Sequence, residues 1–172
     1  NWGHGIFYEI SDGGTVIERN VSLDNGTMSD TAGAGIYISN SEGIEIRQNY
    51  MAGNAGCFLL AQNFGRAPTL ADVSVTDNVC AHDRRVNGVR INGQASDNQI
   101  SNFFRDTDGF VFQGNSYFID GARPFRWGGS ALSVEGWRGV GFDMTSSFSE
   151  HTGHPAPEMS PAWFQSSHYG PI

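Results

Sequence analysis

The sequence predicts an all-β chain wound as a solenoid of parallel strands. Three observations carry that expectation: a recurring glycine-led strand pattern, asparagines at a fixed spacing, and a turn-rich composition. The pattern Gly, apolar, any, apolar recurs at Gly5-Ile6-Phe7-Tyr8, Gly35-Ile36-Tyr37-Ile38, Gly56-Cys57-Phe58-Leu59, Gly88-Val89-Arg90-Ile91 and Gly109-Phe110-Val111-Phe112. Successive glycines lie 30, 21, 32 and 21 residues apart, and the longer intervals hold inserts, Asp24 to Asp30 and Asn63 to Pro68. Alternation of this kind marks half-buried strands.

A second alternating segment follows in each of the first three units, as Thr15 to Asn20, Ile44 to Asn49 and Val73 to Asn78, with the closing asparagines 29 apart both times. A fourth, Asp97 to Phe104, fits only if the register slips by one residue. Each unit therefore reads as strand, turn, strand, turn. Each run resembles the run one whole unit later, which suits a solenoid, whereas a hairpin array needs tight two-residue turns between neighbouring runs. On parallel strands stacked about 4.8 Å apart, an asparagine repeated at one corner can form a ladder of side-chain amide bonds. That ladder is a structural device, because turn asparagines tolerate left-handed backbone and cap unpaired groups.

Composition narrows the partners. The 172 residues suit one domain, and the net charge of -8 rests on eighteen acidic residues against ten arginines, with no lysine. Nucleic acid and anionic membrane are excluded as expected partners, since both need a basic face. Glycine is abundant, at 23 residues, and all thirteen asparagines fall within the first 115. No apolar run has the length of a membrane span. The chain opens Asn1-Trp2-Gly3-His4 without an initiator methionine, as a mature product or a piece of something longer would. Cys57 and Cys80 are too few for a disulfide framework, and two buried thiols are expected rather than a bridge.

The repeats resemble those of right-handed parallel β-helix proteins of the pectate-lyase-like superfamily. Gly5 to Ser11 followed by Val16 to Asn20 looks like a motif common in secreted bacterial members. Pro124-Phe125-Arg126-Trp127, Val134-Glu135-Gly136-Trp137 and Gly141-Phe142-Asp143 are similar to the segment that closes such helices. The resemblance implies a right-handed parallel β-helix of about five coils over residues 1–121, a capping segment over 122–149 and an extended proline-rich tail over 150–172. It also implies secretion, a polysaccharide partner, and lyase or glycosidase chemistry, although non-catalytic binding, adhesion and structural modules share the fold. Calcium sites occur among similar lyases, but no loop here has the alternating acidic spacing of a dedicated site, and no cofactor is expected.

Alternation assigns the faces. Ile6/Tyr8, Ile36/Ile38, Cys57/Leu59, Val89/Ile91 and Phe110/Phe112 are expected inward, leaving two outward columns: Phe7, Tyr37, Phe58, Arg90, Val111 and Glu9, Ser39, Leu60, Asn92, Gln113. Flat apolar rings beside a carboxylate and amides are what a sugar-binding surface requires. Alternatively, the two inserts fold over the aromatics and bury them. Phe7, Tyr37, Phe58 and Asn92 are the candidate substrate contacts, with Glu9 and Arg90 the candidate catalytic pair.

For β-elimination, Arg90 would neutralise a uronate carboxylate while His4, His82, Tyr8 or Tyr37 moved the proton. Hydrolysis needs two carboxylates about 5 to 9.5 Å apart, for which Glu9 has Asp12, Asp24 and Asp30 as candidate partners. A solvated Glu9, or one bonded to a neighbouring loop, is the plainer alternative. Glu18 and Arg47 are expected to form a surface ion pair worth about 0 to 1 kcal/mol. His151, His154, Glu158 and His168 sit in the proline-rich tail, so no metal site is assigned there; Asp24, Asp30, Asp72, Asp77 and Asp83 likewise lack metal-loop spacing. Ser133 opens a short capped helix ending at Gly139 or Gly141, and Trp127 and Trp137 are expected to cover the open end. At the other end Ile6, Tyr8 and Ile17 face no cap, so this end is expected to stack on missing N-terminal coils or on another chain.

Overall fold

The computed structural model describes residues 3–26, 33–63, 65–81, 89–91, 103, 105, 107–119, 124–128 and 130–150. It is an all-β structure dominated by parallel pairing. The chain enters through β1 (Ile6–Ser11), β2 (Thr15–Glu18) and β3 (Val21–Leu23), and continues through the long β4 (Ala34–Arg47) and β5 (Tyr50–Ala52). Then come β6 (Gly56–Ala61), β7 (Ala71–Thr76), β8 (Val79–Ala81), β9 (Val89–Ile91), β10 (Phe110–Gln113) and β11 (Ser116–Ile119). The chain ends in β12 (Phe125–Trp127), β13 (Ser130–Leu132), helix α1 (Val134–Gly139) and β14 (Ser147–Glu150).

Each strand finds its partner one repeat away. The first ladder joins β1, the front of β4, β6 and β9; the second joins β2, the back of β4, β7 and β10; the third joins β3, β5, β8, β11 and β14. Inward residues of all three ladders make one apolar interior, in which Ile36, Ile38, Ile44, Ile46, Phe58, Leu60 and Val75 have no exposed surface.

The corner before the third ladder is built in the same way four times. Arg19, Gln48, Asp77 and Gly114 take φ of 53°, 54°, 54° and 67°, and each is followed by an asparagine. The Nδ2 of Asn20, Asn49 and Asn78 donates to the Oδ1 of Asn49, Asn78 and Asn115 in turn, at 3.0, 3.0 and 3.1 Å. The fourth member is thus Asn115, 37 residues beyond Asn78, because the insertion before it lengthens the repeat. Of the alternative segment 97–104, only Phe103 is among the described residues. A shorter ladder runs from Asn25 to Asn54, 2.8 Å.

Two register expectations need correction. Gly56 pairs with Ala34, not Gly35, so Ile36 meets Phe58, Tyr37 meets Leu59, and Ile38 meets Leu60. Phe58 and Leu60 therefore point inward and are fully buried, and Leu59 takes the outward position. The second correction is that Phe110 to Gln113 pair with β7 of the second ladder, so Val111 and Gln113 do not continue the Phe7 and Glu9 columns.

The same slip explains the cysteines. Register places Cys57 where the preceding units have Gly5 and Gly35, and a Cβ at Gly35 would collide with Met51. Met51 is itself stacked between Ser22 and Cys80. Where the earlier units need glycine for this close approach, the third unit bonds across it: Cys57 and Cys80 form a disulfide with Cα atoms 5.6 Å apart, not two free thiols.

The residues after β11 bring a short helix and an aromatic cluster onto the core. Ser133 caps α1 by accepting from Gly136 N–H at 3.2 Å. Trp127, Trp137 and Phe142 pack edge-on against Phe112 and are nearly or fully buried. β14 adds to the third ladder beside β11, so residues 147–150 are sheet, across the expected start of the tail. At the opposite end Ile17 is buried, and the Tyr8 hydroxyl bonds Ser11 at 2.6 Å and Thr15 at 2.5 Å, so the first unit is partly closed by its own side chains.

Asn49 is buried, and its removal takes away the acceptor of the Asn20 N–H and one of the two bonds at the Ile17 carbonyl, which the ladder to β4 also engages. Asn49→Ala is expected to lower stability by about 3 kcal/mol and Asn20→Ala by about 1 kcal/mol, measured by urea unfolding. Reducing the disulfide, which closes a separation of 23 residues, is expected to cost about 3 kcal/mol. The Cys57→Ser/Cys80→Ser variant should start at that lower value and ignore reductant.

Candidate functional site

The first ladder's outward column runs Phe7, Tyr37, Leu59, Arg90 in register. Its members differ in exposure. Phe7 is 54% exposed, Tyr37 is half-buried, and Leu59 is buried despite its outward position. Phe7 and Tyr37 stack with centroids 4.8 Å apart and planes within 6°, and His4 lies against Tyr37 at 4.5 Å. Rings stacked along a ladder spend faces on one another, so the surface left for a ligand is the far face of Phe7 and the ring edges. Phe58 belongs to the core and takes no part.

The second column places Glu9 beside Ser39, and Ser39 beside Ala61. Ser39 Oγ donates to Glu9 Oε1 at 3.4 Å, and Arg66 Nη1 lies 3.3 Å from the same oxygen. Glu9 Oε2 has no hydrogen-bond partner among the described residues. Arg66 belongs to the second insert, which folds back to the columns without covering Phe7. A buried asparagine holds it there: Asn40, at φ 44°, donates through Nδ2 to the carbonyls of Asn63, Arg66 and Pro68 at 3.1, 3.1 and 3.2 Å, and its Oδ1 accepts from Asn63 N–H at 2.9 Å. Sequence reasoning missed Arg66. The available signal was an unexplained asparagine in β4 followed by an insert carrying a cation.

Other candidates fall elsewhere. Arg90 lies in β9, where its backbone pairs with Leu59 rather than with Phe58. Asn92, His82, Asp30, Asp83, His151, His154, Glu158 and His168 lie outside the described residues. Asp12 is exposed in the β1–β2 turn; Asp24 and Asp77 take positive φ at bends, and Asp72 takes positive φ within β7. Among the described residues no group of three or more His, Cys, Asp or Glu is placed to hold a metal ion. Glu18 and Arg47 form the expected ion pair at 2.9 Å on the second ladder, away from these columns.

Two titrating groups border the platform. Burial pushes the Tyr37 hydroxyl above its usual range; the Ser39 bond opposes this and the Glu9 charge adds to it. Burial also holds His4 below the ordinary 6.5. Its Nδ1 accepts from Ala34 N–H at 3.0 Å, which requires that nitrogen to be unprotonated. Comparison with family models, with curated proteins and with solved structures gives no match, so the chemistry of this surface rests on its own geometry.

A histidine with a lowered folded pKa supports stability above about pH 6.5, and that support is lost as pH falls from there through the folded value. The urea midpoint is therefore expected to drop from about pH 7.5 to about pH 5.5 more steeply in the wild type than in His4→Gln. Parallel pH profiles would remove His4 from the account.

Proposed function

We propose that the chain is an extracellular parallel β-helix protein that binds a polysaccharide across the Phe7–Tyr37 platform. The β-helix reading, right-handed and of four to five coils, is supported by three parallel ladders of four, four and five strands with a repeated asparagine corner. Handedness follows from the general preference of parallel crossovers. An extracellular setting is supported by the Cys57–Cys80 disulfide, since such bonds persist in oxidising compartments.

The observation that carries the binding reading is the stacked aromatic pair, exposed at Phe7 and half-buried at Tyr37, beside a polar cluster of mixed character. Phe7 offers an apolar face for the C–H side of a pyranose. The open Oε2 of Glu9 offers an acceptor for hydroxyls, and half-exposed Arg66 offers a donor fork for hydroxyls or a carboxylate. Cleavage is the second half of the proposal. Glu9 would serve hydrolysis, with Arg66 holding its carboxylate in place, and Arg90 would serve as charge neutraliser for elimination.

The test is titration with acidic and neutral polysaccharides by calorimetry, with unsaturated products and reducing ends followed in parallel. Phe7→Ala is expected to weaken binding about tenfold, the worth of one stacking contact. Glu9→Gln is expected to leave affinity within about threefold and to abolish any reducing-end release. Equal affinity of wild type and Phe7→Ala for every polymer would reject the platform.

A further inference from the structure

The edge formed by β1, β2 and β3 ends in open hydrogen-bonding positions. β1 and β2 pair with β4, and β3 pairs with β5; on their other side none has a strand partner among the described residues. The corner asparagines show what such a partner supplies. Oδ1 of Asn49, Asn78 and Asn115 each accepts two bonds, from the backbone N–H and the Nδ2 of the asparagine one unit earlier, all at 2.9 to 3.1 Å. Nδ2 of each also reaches a carbonyl of the earlier unit, at Ile17, Ile46 and Val75. Oδ1 of Asn20 accepts nothing among the described residues, and its Nδ2 bonds the Glu18 carbonyl of its own unit, as those of Asn49 and Asn78 bond Arg47 and Thr76, but no carbonyl of an earlier unit among the described residues.

The main chain points the same way. Tyr50 N–H bonds the Asn20 carbonyl, so in a parallel ladder the peptide groups of Val21 itself face away from β5 and toward the open edge. Beside Asn20 lies an open cleft of about 280 Å³ lined by Ile6, Val21, Ser22 and Leu23 among others, and Val21 and Leu23 are 38% and 39% exposed.

We propose that this edge docks a strand–corner–strand polypeptide segment, running parallel to β2 and β3 and carrying an asparagine whose N–H and Nδ2 donate to Asn20 Oδ1. The hydrogen-bond polarity selects this occupant. A second copy presenting the same edge sets acceptor against acceptor. A second copy presenting its opposite end has no asparagine donors to give among the described residues of that corner, because Asn115 N–H is bonded to Ser146 Oγ and its Nδ2 to Asp143 Oδ1. The partner is therefore a different segment, held by main-chain bonds and selected by the amide at its corner.

The experiment is an NMR titration of the ¹⁵N-labelled protein with a peptide copying Gly43–Asn54, which carries one such corner, and with its Asn49→Ala form. Saturable shifts confined to β1–β3 and the Asn20 side chain are expected, and the Asn49→Ala peptide should bind about tenfold more weakly. On the protein, Asn20→Ala and Val21→Pro should each weaken binding by a similar factor. Val21→Pro leaves the ladder to β5 intact, since it removes an outward N–H. Absence of shifts at millimolar peptide, or equal binding of the two peptides, would overturn the proposal. So would concentration-dependent self-association, seen by sedimentation and abolished by Val21→Pro, which would make a second copy the occupant.

Discussion

The structure depends on a corner in which a left-handed residue hands the chain to an asparagine. Left-handed backbone is unfavourable for side chains other than glycine, yet Arg19, Gln48 and Asp77 adopt it. The asparagine that follows offsets the cost, because its one amide satisfies backbone groups of its own unit and of the unit before, and bonds the asparagine side chain of the unit after. Asn49 Nδ2 bonds Ile17 O at 2.8 Å, Arg47 O at 3.1 Å and Asn78 Oδ1 at 3.0 Å. Sheet polar groups at a sharp corner would otherwise be buried without partners. The repeat length is free to change between corners, as the step of 37 from Asn78 to Asn115 shows, while the corner itself is not.

The ladder also needs an end. Asn115 is the last asparagine, and its donors pass to Ser146 and Asp143. Asp143 is fully buried, and no cation contacts it among the described residues. It is held instead by neutral donors: Tyr117 OH at 2.8 Å, Trp137 Nε1 at 2.7 Å, Asn115 Nδ2 at 2.9 Å and Ser146 Oγ. Burial, with Asp143 adding to it, drives the Tyr117 pKa well above its ordinary value, so that hydroxyl remains a donor. One carboxylate thus ties the asparagine ladder to α1 and to the aromatic closure.

Periodic features were legible in the sequence and aperiodic ones were not. The strands of the first two units, the 29-residue step, the Glu18–Arg47 pair and the Ser133 cap follow from alternation and spacing. The third unit misled because glycine was read as the marker of register. The position that matters is a close approach of two inward columns, filled by Gly5 and Gly35 and then by Cys57, so the visible Gly56 lies one residue off. That single residue exchanged Phe58 for Leu59 on the outward face and concealed the disulfide. Arg66 was illegible for another reason: its place depends on Asn40 bonding carbonyls 23 to 28 residues further on, a contact with no period.

That grip has a consequence for how such a surface changes. Asn40 holds the insert through main-chain carbonyls and one main-chain N–H, and so is indifferent to which side chains the insert displays. Residues such as Arg66 can be exchanged without disturbing the anchor, while the aromatic pair stays fixed to the ladder. The side chains the insert displays and the grip that holds it are thereby encoded in separate stretches of chain. Drift in the insert can change the surface beside the aromatic pair, at little cost to the fold that presents it.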